Sequence, residues 1–85
     1  MPHKNKINLV FLISPNSYPV EANVHEPLKV ARDKALKDAD QTGRPFDDWE
    51  VHYQGKTLSV TAKIEELGLV DGAELELTLG FGAGG

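Results

Sequence analysis

The sequence predicts an α+β fold: a mixed sheet of roughly four to five strands with one main helix packed across one face. Three observations predict it. Apolar residues alternate in short runs near both ends of the chain. Between those runs lies a single segment with helical spacing. Turn-forming residues separate the segments.

Ile7, Leu9, Phe11 and Ile13 alternate and give a first strand. Val10 and Leu12 make its other face apolar too, which places it inside the sheet rather than at an edge. Ser14-Pro15-Asn16-Ser17 reads as a turn with Pro15 in its second position. Val20, Ala22 and Val24 alternate next and complete a hairpin, with Pro19 tolerated near the start of that strand.

The helix comes next. Pro27 suits its first turn. Leu28, Ala31, Ala35 and Ala39 recur at spacings of three and four and form one stripe, with Leu36 on its flank. Val30 lies off the stripe, and Lys29, Arg32, Asp33, Lys34, Lys37 and Asp38 are assigned to solvent. Gly43 and Pro45 are the expected stop signals. In the third strand, Trp49, Val51 and Tyr53 share the inner face and Glu50 and His52 the outer one. Gln54-Gly55-Lys56 is a tight turn and Thr57-Leu58 starts a short strand. Lys63 to Leu67 fits one helical turn closed by Gly68, and Asp71-Gly72 is a turn. The last strand is Glu74 to Leu79, with Leu75, Leu77 and Leu79 inward.

Composition narrows the function. The 85 residues suit one domain. No cysteine is present, which excludes disulfides, thiolate zinc sites and thiol catalysis. The net charge is -4, from 9 basic and 13 acidic residues, and the basic residues are scattered, which argues against nucleic acid. There is no apolar run of membrane-spanning length and no signal-like segment, so the expectation is a cytoplasmic monomer. His3, His25 and His52 lack ligand spacing, so no metal site is expected. Asp47-Asp48 and Glu65-Glu66 read as solvated charge, and Trp49 as core.

The chain then ends Gly80-Phe81-Gly82-Ala83-Gly84-Gly85, directly after the last strand. Glycine lacks a Cβ and can thread a narrow channel. Six extended residues reach about 20 Å, enough to enter a partner's active site. Residues 1–79 are therefore expected to form the domain, with 1–6 disordered, and residues 80–85 a flexible tail.

Taken together these residues resemble ubiquitin and its relatives, whose fold is the β-grasp. Val51, Tyr53, Gly55, Lys56, Leu58, Ile64, Leu67, Leu69, Leu75, Leu77 and Leu79 fall where ubiquitin has core residues, a turn glycine and a turn lysine. Leu28, Ala31 and Ala35 match its helix stripe. The recognition face departs from ubiquitin: its patch isoleucine falls on His52, its patch valine on Thr78, and two arginines on Glu50 and Gly80. That pattern looks more like the diverged ubiquitin-like proteins of bacterial conjugation operons.

The resemblance implies a non-enzymatic protein modifier. A C-terminal carboxylate is ionised at neutral pH and is a poor electrophile, so it needs activation. The family's route is adenylation by an activating enzyme that uses ATP and magnesium, then a thioester, then an isopeptide bond from Gly85 to a lysine of a target protein. Conjugating enzymes and JAB-type deconjugating peptidases are the other implied partners. The chain itself needs no cofactor and no catalytic residue. Gly84 and Gly85 would be the conjugated end; Gly80, Phe81, Gly82 and Ala83 the segment recognised in the tail, with Phe81 as its apolar anchor. Glu50, His52 and Thr78 would form the docking face. Lys56 would be an acceptor for chain formation, although an ordinary turn lysine is the plainer reading. Two other functions share the fold. A sulfur carrier would bear a C-terminal thiocarboxylate, and the turn from Leu69 to Leu75 is faintly like that of such carriers. A non-covalent binding module would not use the tail at all.

Overall fold

The computed structural model describes residues 5–80. Five strands form one sheet: β1 Lys6–Ile13, β2 Asn16–Asn23, β3 Trp49–Tyr53, β4 Lys56–Leu58 and β5 Ala73–Leu79. Among the described residues one α-helix, α1 Leu28–Asp38, lies between β2 and β3 in the chain. The strand order is β2-β1-β5-β3-β4. β5 is central, parallel to β1 and antiparallel to β3, while the outer pairs β1–β2 and β3–β4 are hairpins. Lys6, expected within the disordered start, is the first residue of β1.

The inward residues of the central strands meet the helix stripe. Leu9 and Phe11 of β1, Val51 of β3 and Leu75 of β5 are fully buried together with Leu28, Ala35 and Leu36 of α1. Leu36 is therefore at the centre of the helix contact, not on its flank. Ile64, from a short 3-10 turn at Ile64–Glu66, closes the same core. The alternation in β5 is complete from Ala73 to Leu77, with buried and exposed residues taking turns.

The structure corrects four further expectations. The first hairpin turn is only Ser14-Pro15, with a cis peptide between them, because Asn16 already pairs with Ile13. Pro15 thus occupies the third turn position, not the second. Pro27 is the N-cap residue, just outside the first turn. The helix stops well before Gly43. Asp40 adopts a left-handed φ of 61°, and the N–H groups of Asp40 and Gln41 donate to the carbonyls of Lys37 and Leu36. That is a Schellman closure with aspartate in the place glycine usually takes.

The fourth correction is Arg32, which is only 2% exposed. It comes four residues after Leu28 and four before Leu36, so it belongs to the buried face. Its Nε donates to Asp33 Oδ1 at 2.9 Å and its Nη2 to Asp47 Oδ1 at 3.0 Å. Asp47 sits in a second 3-10 turn, Phe46–Asp48, immediately before β3. The arginine stem packs as an apolar residue would while its charged head is paired at the boundary. Among the described residues, Trp49 Nε1 is the buried side-chain polar atom with no hydrogen-bond partner.

Candidate functional site

The register of β3 against β5 assembles the site. Glu50 pairs with Thr78, and His52 with Glu76. Both pairs point away from the helix, because their neighbours Val51 and Leu77 point into the core. His52 is the hub. Its Nε2 lies 2.9 Å from Thr78 Oγ1, its Nδ1 lies 3.0 Å from Thr57 Oγ1 of β4, and Glu50 Oε1 is 3.4 Å from Nε2. A hydroxyl can donate or accept, so both ring nitrogens are satisfied in either tautomer.

Gly80 completes the group. Its N–H donates to the carbonyl oxygen of Asp48 at 2.9 Å, which carries the β3–β5 ladder one step past Leu79. A Cβ added at Gly80 would lie 2.5 Å from Glu50 Oε2 and 2.7 Å from its Cδ. The Glu50 side chain occupies the space a Cβ would fill, so a larger residue here would have to push that flexible side chain aside.

Glu50, His52, Thr78 and Gly80 are thus contiguous. Lys56 is not part of the group. It is exposed at the start of β4, pairs with Tyr53, and lies on the opposite face of its strand from Thr57. Phe81, Gly82, Ala83, Gly84 and Gly85 lie outside the described residues. Among the described residues, no cluster of three His, Asp or Glu could hold a metal ion, and no helix is long and apolar enough to cross a membrane.

Two neighbours were missed from sequence alone. Thr57 and Glu76 join the group only through strand register, which no local pattern encodes. A groove of 310 Å³ adjoins them, lined by Leu12, Ser14, Pro15, Asn16, Glu76, Leu77 and Thr78. It opens where β1 and β5 part. Their ladder runs from Leu9 with Ala73 to Leu12 with Glu76 and then ends, although both strands continue.

A central strand flanked by two hairpins, with one helix across the inner face, defines the ubiquitin-like β-grasp fold. Solved structures agree: a chain from "Molecular Mimicry of SUMO promotes DNA repair" matches with a TM-score of 0.79 at 13% identity, covering 92% of this chain and 96% of that one. Ubiquitin from Caldiarchaeum subterraneum matches with a TM-score of 0.73 at 19% identity, covering 88% and 94%. The chain belongs to the DUF2604 family, described as "Protein of Unknown function", which matches residues 2–85. A curated relative, "Uncharacterized protein y4jI" of Sinorhizobium fredii (strain NBRC 101917 / NGR234), is 32% identical over 81 residues. That match covers 94% of this chain and 62% of the relative's length.

Proposed function

We propose that the chain is a ubiquitin-like protein modifier, activated at the Gly85 carboxylate by an ATP-dependent adenylating partner and joined to lysines of target proteins by an isopeptide bond. One observation carries the reading. Gly80 directly continues the central strand of a ubiquitin-like sheet, beside a polar outward face, and the sequence from there runs to Gly84-Gly85. In this reading the catalytic groups and the ATP and magnesium belong to the activating, conjugating and deconjugating partners. This chain supplies the acyl group and the surface that those partners dock on, as a cytoplasmic monomer. The reaction requires that Gly85 hold the free carboxyl, either as encoded or after a peptidase has removed any residues beyond it.

The divergence from ubiquitin supports dedicated partners. Where ubiquitin offers an apolar patch between arginines, this face offers His52 hydrogen-bonded to Thr78, with the Glu50 carboxylate 3.4 Å from the same ring nitrogen.

Intact mass spectrometry after incubation with the cognate activating enzyme and ATP tests the reading. A thioester or target adduct is expected. A gain of about 16 Da, sulfur for oxygen, identifies a sulfur carrier instead, and an unchanged mass leaves a non-covalent binding module. Removing Gly84-Gly85 is expected to abolish adducts with unchanged folding; adducts that persist would sink the modifier reading.

A further inference from the structure

We infer that the groove between the first hairpin turn and the end of β5 is the seat of a partner-protein segment that carries an apolar side chain flanked by lysine or arginine. The inference deepens the docking-face part of the function proposed above and names the chemistry of the partner's surface.

The shape comes from strand divergence. Up to Leu12 and Glu76 the two strands are laddered. Beyond them β1 turns away through Ser14-Pro15, while β5 continues through Leu77 and Thr78 with no registered partner on the β1 side. The wedge that opens has Leu12 and Pro15 on one wall and Glu76, Leu77 and Thr78 on the other. Leucine and proline offer an apolar seat for one side chain.

The charge comes from β3 and β5. Their outward residues are Glu50, His52, Glu74, Glu76 and Thr78. Three of those five carry carboxylates, and none is a lysine or arginine. Glu76 lines the groove itself, and Thr78 links it to Glu50 through their cross-strand pairing. Such a field repels anionic partners such as nucleic acid and draws in a basic segment.

The test is a two-dimensional amide NMR titration of the full chain. The probe is acetyl-Lys-Arg-Ile-Leu-Lys-Arg-amide. One control replaces its basic residues with glutamate, and the other replaces Ile-Leu with Ala-Ala. The expected result is saturable shifts at Leu12 to Asn16 and Glu76 to Thr78 with the basic apolar probe alone. Binding should weaken about tenfold as salt rises across the screening range, and about tenfold in Glu76→Gln at low salt. Three results would overturn the inference: equal shifts with the acidic probe, no shift at these residues at millimolar probe, or shifts that depend on protein concentration without probe, which would make a second copy the occupant. No activating enzyme takes part, so this test and the adduct assay can fail independently.

Discussion

Arg32 reaches from the buried face of the helix to Asp47, Nη2 to Oδ1 at 3.0 Å, and so ties α1 to the turn that leads into β3. The two partners differ sharply: Arg32 is 2% exposed and Asp47 is 87% exposed. The pair is therefore mostly a packing device with a hydrogen bond at its rim. Removing the side chain by Arg32→Ala should cost about 2–4 kcal/mol, chiefly through the cavity. Asp47→Ala should cost about 1 kcal/mol, since water replaces most of what it supplies. Arg32→Met, which keeps the bulk, should cost about 1 kcal/mol or less. Urea unfolding of the three variants checks the order; Arg32→Met as damaging as Arg32→Ala would show that charge pairing dominates.

Glu50 and Gly80 should be energetically coupled. Gly80→Ala forces the Glu50 carboxylate aside but leaves the core untouched, so its cost should be about 1 kcal/mol. In a Glu50→Ala background that cost should largely vanish, giving a coupling of about 0.5–1 kcal/mol in a double-mutant cycle. The His52 ring signals should move in Gly80→Ala, because Glu50 Oε1 stands 3.4 Å from Nε2. Unmoved signals would mean that the glutamate does not reside over the glycine in solution.

Two backbone positions are open to stabilisation. Gln54 and Asp40 hold left-handed φ values of 52° and 61°. Gln54-Gly55 forms the two-residue turn between β3 and β4, for which Asn-Gly is the favoured pair. Gln54→Asn and Asp40→Gly should each raise stability by about 0.5–1 kcal/mol. They lie in separate turns, so thermal unfolding of the double variant should show additive gains.

Lys56→Arg should leave both stability and adduct formation unchanged. Its side chain is exposed and lies apart from the cluster around His52. Loss of adducts between copies of the chain in this variant, with target adducts retained, would identify Lys56 as an acceptor.

The strands were legible because alternation at Leu9-Phe11, at Trp49-Val51 and at Leu75-Leu77 reports burial directly. The helix was legible for the same reason, but its buried face was drawn too narrow. Charge alone assigned Arg32 to solvent, while its spacing from Leu28 and Leu36 already placed it inward; the partner that makes burial tolerable, Asp47, comes fifteen residues later. The helix stop was missed because aspartate at Asp40 does what glycine usually does. Strand alternation put Glu50 and His52 on the outward face and the β3–β5 register sets Thr78 beside them, while Thr57, Glu76 and the groove depend on register and on where two strands separate. Neither is written in a local pattern.

β5 sits at the centre of the sheet yet comes after the other four strands in the chain. Before it emerges from the ribosome, the β1–β2 and β3–β4 hairpins have no strand in common and the sheet cannot close. Native structure must await translation through Leu79. A product terminated before β5 therefore lacks the keystone along with everything distal to it. A truncation that ends before β5 therefore leaves two hairpins with no strand to join them, and is expected to lack the closed sheet and its shared core.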